Sequence, residues 1–390
     1  MNKLASLYLY ILPFYSLLGI LLGAYRVTDQ LHLNDIFILI GAVFGMTITL
    51  SGWKYLKNKT ITFLIILLIF SIVIGLLNGN EISRRYITDL TNPFIFFSLI
   101  IIFSKYWKNH DWTKYIKYYI IVTFWGSLLL LPVVYFLFIR AGVGRLAIFP
   151  PMELPFAYYI QNGSGLLLLS FIIILLYGKR AQFGGAIATF LIFILAFRRN
   201  KVVKYGIILI IGLVGTIILF NAFPDNLAIK RLTNSFEAFN NSGNDFNQVS
   251  AGRSDEIKAL LDDMQFVDFF LGKGVGYTYF QIINGEKKET ANSHFSPLAF
   301  DSKYGIIFTV FIYWFVLSLL LKYRPKSVDE SYKIAWSMVL FIFLESFFSY
   351  ALFVTPILPI GLGYIYHRQN NNTGRFINKH ITISNESVIY

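Results

Sequence analysis

The chain has 390 residues, 56% of them hydrophobic and 14% charged, a formal net charge of +13 and a mean hydropathy of +0.60. A soluble domain is about a quarter charged, so the composition excludes an ordinary water-soluble fold. It contains no cysteine, which excludes disulfides, thiolate zinc sites and haem attachment through CxxCH.

In chain order, apolar runs over Ala5–Tyr25, Asp35–Trp53, Ile61–Leu77, Tyr115–Phe138 and Val203–Phe223 have the length needed to cross about 30 Å of hydrocarbon. They predict an all-α polytopic membrane protein. A β-barrel would show short alternating strands instead. The first run contains Pro13 and no small-residue cleavage site, and reads as a retained helix.

Basic residues mark the topology. WKYLKNK (Trp53–Lys59), KYWKNHDWTKYIK (Lys105–Lys117), RRNKVVK (Arg198–Lys204), KYRPK (Lys322–Lys326) and the tail from Arg368 read as cytoplasmic under the positive-inside rule. With the excess positive charge spent in these short segments, no basic face is left for nucleic acid. Cytoplasmic markers are separated by an even number of spans, yet only three apolar blocks lie between Lys117 and Arg198. The turn NGSG (Asn162–Gly165) resolves the parity by splitting one block into two short spans, Leu146–Ile160 and Leu166–Tyr177. Proline is tolerated in the first, at Pro150, Pro151 and Pro155, where neighbouring helices satisfy the backbone.

The expected architecture then has about twelve transmembrane helices (range about 10–12) with both termini cytoplasmic. Its parts are N-terminal helices over 1–223, a partly helical external loop over 224–301, C-terminal helices over 302–366 and a tail over 367–390. The last span, Val354–Tyr366, is short enough to be re-entrant. Arg140, Arg145, Lys179 and Arg180 fall on the same outer side as the loop.

Within the loop, Ser254 is placed to cap a helix, with Asp255 and Glu256 suited to its positive end. Ile257, Leu260, Leu261 and Met264 follow at helical spacing and predict the apolar face. Arg253, just before that N-terminus, has the chemistry to bind phosphate oxygens; an ion pair within an acid-rich loop is the plainer reading of the spacing alone. GKGVG (Gly272–Gly276) is neither a P-loop nor a dinucleotide fingerprint and predicts a turn folding the loop back. His294 reads as a general base near neutral pH or, more plainly, as a surface histidine. Glu153, Glu345 and Asp89 are the acids hardest to place in a membrane. They mark ion or proton work, or simply buried hydrogen-bonded groups. No paired acid–base ladder of the kind a pump needs is visible.

Four segments in a fixed order carry a resemblance: YGKRAQFGG (Tyr177–Gly185), AGRSDEI (Ala251–Ile257), GKGVGY (Gly272–Tyr277) and NSHFSPLAFDSKYGI (Asn292–Ile306). Together, over about Leu166 to Leu320, the chain resembles the O-antigen polymerase and O-antigen ligase group of membrane glycosyltransferases. Two positions depart from the group's pattern. Phe295 follows His294 where members often carry Asn, and Lys179-Arg180-Ala181 stands where a Ser-Arg-Gly turn is usual.

The resemblance implies work on sugar chains linked to undecaprenyl diphosphate, at the outer face of the bacterial inner membrane, without nucleotide sugar, metal or other cofactor. Carried over by position, Arg253 and Arg180 bind the diphosphate and His294 takes the proton of the acceptor hydroxyl. Lys179, Arg140 and Arg145 are further candidate binding residues. Arginine donors suit a diphosphate leaving group in the absence of a metal. The leading expectation is a polymerase joining lipid-linked oligosaccharide repeats, with the bilayer around it and a chain-length regulator as a possible protein partner. A ligase moving finished polymer to lipid A-core is the nearest alternative. A lipid flippase or transporter would show internal repeats and broken central helices, and no such self-similarity is visible.

Overall fold

The computed structural model describes residues 2–24, 33–56, 59–139, 149–201, 253–283, 286–290, 292–322 and 329–369, with isolated positions between 203 and 218. Helices α1 (Asn2–Ala24), α2 (Leu33–Ser51), α3 (Lys59–Leu77), α4 (Arg84–Tyr106) and α5 (Trp112–Ile139) form the first part of a bundle. They are followed by α6 (Glu153–Asn162), α7 (Leu166–Leu176) and α8 (Arg180–Phe197). Next come two loop helices, α9 (Arg253–Asp263) and α10 (Phe266–Leu271), and a hairpin of β1 (Tyr279–Ile283) and β2 (Glu286–Thr290). Helices α11 (Ser296–Leu321), α12 (Glu330–Glu345) and α13 (357–369) complete the chain.

Among the described residues, six helices are long and apolar enough to cross a membrane: Lys3–Leu22, Lys59–Leu77, Arg85–Tyr106, Trp112–Leu137, Arg180–Phe197 and Ser296–Leu321. This makes the chain a multi-pass helical membrane protein. In hydrocarbon the backbone must satisfy itself, which only helices and closed barrels achieve. Large apolar side chains such as Ile69, Leu129 and Trp314 face outward along these helices, as lipid-facing surface requires. The count is smaller than the expected twelve for definite reasons. The expected span Val203–Phe223 lies largely outside the described residues. The NGSG turn does separate two helices, and Gly163 supplies its left-handed residue at φ 62°. But α6 has 10 residues and α7 has 11, about 15 and 17 Å of helix against a core of about 30 Å. Nearly all of α6 is buried, packed among α5, α8 and α12. The expected Val354–Tyr366 span is instead the short α13, its first nine positions all buried.

Described residues of or beside three basic segments gather at one end of the bundle. Thr113 at the start of α5 hydrogen-bonds Ser331 at the start of α12, Arg368 pairs with Asp329, and Phe197 at the end of α8 packs edge-on against Trp336. The opposite end collects the end of α3, the start of α4, the start of α8 and the loop. Helix α11 begins at Ser296, inside the 224–301 range expected for the loop. The helix is broken at Gly305, whose φ of 78° and ψ of 170° are not helical.

Candidate functional site

The described part of the loop has a small core of its own. Leu260 of α9 and Met264 just beyond it pack with Tyr277 and Tyr279, against the flanks of Ala259, Phe269 and Leu298. The helix starts at Arg253 itself, so Ser254 lies inside its first turn and is not its cap. The buried side is also displaced from the expected face. Glu256, Leu260 and Met264 are buried, whereas Leu261 is exposed. This rotation puts a carboxylate, rather than an apolar side chain, at the inner end of the helix.

Glu256 is the organising residue. It is buried, and its carboxylate accepts three different donors. Tyr279 Oη–H donates to Oε1 at 3.1 Å, the backbone N–H of His294 donates to Oε1 at 3.3 Å, and His294 Nδ1 lies 2.9 Å from Oε2. A carboxylate only accepts, so Nδ1 carries the proton and Nε2 is left as the basic nitrogen. The histidine side chain is 63% exposed while its partner is 6% exposed, so the ring is held from below and open above. Burial and the bond to Glu256 push the Tyr279 hydroxyl well above its ordinary pKa, which keeps it a donor.

The histidine segment is fastened on both sides. On one side Asn292 Oδ1 accepts from Lys303 Nζ at 2.6 Å. On the other, Ser296 donates to Ser349 O at 2.7 Å through its hydroxyl and to Ser346 O at 3.2 Å through its N–H. Lys303 also donates to Asp89 Oδ1 at 2.7 Å, a pair only 1% and 6% exposed. Tyr304 Oη–H donates to Asp89 O at 2.6 Å. Asp89, expected to be a difficult membrane acid, is therefore one half of a buried ion pair tying α4 to α11.

Of the arginine and lysine expectations, Arg253, Arg180 and Lys179 fall on described residues. Arg253 is half-buried, and its pKa is lowered by desolvation first and by the Arg180 guanidinium second, with Glu256 opposing both. The start of α8 and the start of α9 are therefore near enough for the two guanidinium charges to oppose each other. The Lys179 ammonium sits 3.9 Å above the Phe149 ring, and the residue lines a cavity. Arg140 and Arg145 lie outside the described residues.

GKGVG is the turn that the sequence predicts, and it is set deep into the helix ends. All three glycines have positive φ, from 73° to 86°. Lys273 N–H donates to Ser302 O at 2.7 Å, Gly274 N–H to Lys303 O at 3.0 Å and Val275 N–H to Ser71 O at 3.3 Å. Asn80 closes the turn with bonds of 2.9 Å to the carbonyls of Lys273 and Val275.

Behind the histidine segment lies a cavity of about 1560 Å³. Its walls include Asn80, Asn92, Thr88, Thr278 and Asn292 near the loop, and Tyr8, Leu12 and Phe96 deeper in the bundle. The charged lining is Glu81, Asp89, Glu153, Glu289 and Glu345 against Arg85 and Lys179. Two of these acids are paired, Asp89 with Lys303 at 2.7 Å and Glu289 with Arg85 at 2.9 Å. Among the described residues no group of three or more histidine or acidic side chains converges to hold a metal ion.

No protein-family model, curated protein or solved structure matches the chain. The structure itself defines a multi-pass helical membrane protein with a folded loop. At one end of its bundle that loop holds a histidine against a buried carboxylate, with Arg253 on the helix that carries the carboxylate.

Proposed function

We propose that the chain is a membrane glycosyltransferase of the polymerase type, joining lipid-diphosphate-linked oligosaccharide repeats of an O-antigen or related surface polysaccharide at the outer face of the bacterial inner membrane. The observation that carries this reading is the Glu256–His294 pair, on a loop whose Arg253 carries a charge opposed by that of Arg180. His294 Nε2 takes the proton of an acceptor hydroxyl as its oxygen attacks the anomeric carbon of the donor sugar. The bond from that carbon to the diphosphate oxygen breaks, and the electron pair leaves with the lipid diphosphate. Arg253 and Arg180 stabilise the charge that develops there, and attack opposite the leaving group inverts the anomeric centre. The amide- and hydroxyl-bearing cavity beside Asn292 supports the reading too, since it offers uncharged sugars hydrogen bonds. In this proposal the basic end of the bundle faces the cytoplasm and the loop faces outward.

Deleting the gene and resolving cell-surface lipopolysaccharide on a gel tests the proposal. A polymerase loss leaves core bearing a single repeat, restored to a ladder by the wild-type chain and not by Arg253→Ala or His294→Ala. Bare core with accumulating lipid-linked polymer would replace this reading with a ligase. Repeats trapped on the cytoplasmic side would replace it with a flippase.

A further inference from the structure

Helix α10 turns its apolar side outward. Phe266, Val267 and Phe270 are 78%, 57% and 51% exposed, and the two phenyl rings meet edge to face at 5.2 Å. Its acid is turned the other way, with Asp268 Oδ2 accepting the Gln265 N–H at 2.8 Å. A loop bathed in water has no reason to sort its side chains in this manner.

The neighbours of α10 show what covers that side. A Cβ at Gly305 would overlap Phe270 O and lie 2.8 Å from Leu271 C, so the end of α10 rests directly on the break in α11. The residues that follow the break, Ile306, Ile307 and Val310, are exposed apolar positions on a candidate membrane span. On the other flank Asn78 donates to Lys273 O, just past Leu76 and Leu77, which are exposed at the end of another candidate span. The apolar side of α10 is thus continuous with the lipid-facing surfaces of α3 and α11. Depth agrees with continuity. From Ile306 to Leu321 α11 runs roughly 16 residues, or about 24 Å, less than the hydrocarbon thickness of about 30 Å. A helix seated at Gly305 therefore lies at the edge of the hydrocarbon and not above it.

We propose that α10 is an interfacial anchor, with Phe266, Val267 and Phe270 embedded among the acyl chains and glycerol region of the nearer leaflet. It joins α9 to the GKGVG turn, so it holds Glu256 and His294 at the level of the lipid head groups. The proposal does not depend on the glycosyl-transfer reading.

The chain has no cysteine, so a single introduced thiol can carry a nitroxide label without background. Val267→Cys is compared with Val310→Cys, on the lipid-facing side of α11, and Asp262→Cys, exposed on α9. The full chain is reconstituted in phosphatidylethanolamine and phosphatidylglycerol vesicles, and spin relaxation is measured with oxygen and with a water-soluble nickel chelate. The expected result groups Val267 with Val310: oxygen accessibility several-fold above that of the chelate, with the order reversed at Asp262. Chelate access at Val267 equal to that at Asp262 would place α10 in water and overturn the proposal. Exclusion of both reagents would mean that protein, such as a second copy, covers the face, and would overturn it equally.

Discussion

Glu256 Oε2 lies 2.9 Å from His294 Nδ1, and the same carboxylate accepts the histidine's own backbone N–H at 3.3 Å. Side chain and main chain of His294 are therefore set by one buried group on a different element. In the proposed reaction Glu256 is a positioning residue: it fixes the tautomer and leaves Nε2 basic. Glu256→Gln keeps the shape and an accepting oxygen but loses the charge, and its amide can present an N–H to Nδ1. The expected outcome is a loss of roughly a hundred-fold or more in polymer formation with little change in melting temperature. Glu256→Ala should lower both, because Tyr279 Oη–H and the His294 N–H lose their acceptor. Equal loss of stability in the two variants, with activity following stability, would reduce Glu256 to a structural residue.

The second prediction concerns the arginines. Arg180 and Arg253 sit close enough for their like charges to oppose each other, and an anion between them relieves that repulsion. Inorganic pyrophosphate should raise the melting temperature of the detergent-solubilised protein, by the equivalent of about 2.7 kcal/mol at a hundredfold excess over its dissociation constant. Arg180→Ala and Arg253→Ala should each remove most of the shift, and the double variant little more. An unchanged shift in Arg180→Ala would separate that residue from the anion site.

Some of this was legible in the sequence and some was not, for physical reasons. Apolar run lengths are set by hydrocarbon thickness, so α1, α3 and α5 could be read directly. The split at Asn162–Gly165 followed from charge parity together with a glycine able to adopt φ 62°. The same parity put Arg180 on the side of Arg253 and His294, where the structure has it. Glu256 was missed as a partner because a first-turn acid already had a sufficient explanation in the helix dipole. Its real role depends on a rotation of α9 set by packing against Tyr277 and Tyr279. The Asp89–Lys303 pair joins residues 214 positions apart, and no local periodicity encodes such a contact.

That long-range pair gives the third prediction. With Lys303 1% and Asp89 6% exposed, Lys303→Met leaves a largely buried Asp89 without its counter-ion. It should destabilise the protein by about 3–5 kcal/mol in detergent unfolding. Lys303→Met combined with Asp89→Leu should cost less than the two single changes added together, by about 0.5–3 kcal/mol. Recovery will not be complete, because Gly276 N–H loses its 3.2 Å contact with Asp89 Oδ2 and Asn292 loses its donor. Strictly additive effects would mean that the two charges do not stabilise each other.

The last prediction separates the glycine turn from the chemistry it supports. At Gly274, φ is 86°, and a Cβ would overlap the backbone N and Cα of Gly75 and lie 2.8 Å from Ser71 O. Backbone strain at a non-glycine residue costs about 1–3 kcal/mol and overpacking about as much again, so Gly274→Ala should cost roughly 3 kcal/mol or more. At Gly184 a Cβ meets nothing within 4 Å, so Gly184→Ala, in the same family-like stretch as Arg180, should leave the melting temperature nearly unchanged. The contrast tests whether the turn is docked against α3. Prising Gly274 away from Gly75 also shifts Lys273 and Val275, whose carbonyls Asn80 holds, and with them the strand carrying Tyr279 to Glu256. Gly274→Ala is therefore expected to lose activity through displacement of the Glu256–His294 pair even where the protein still inserts. A variant that melts and works like the wild type would show that the turn does not seat the loop.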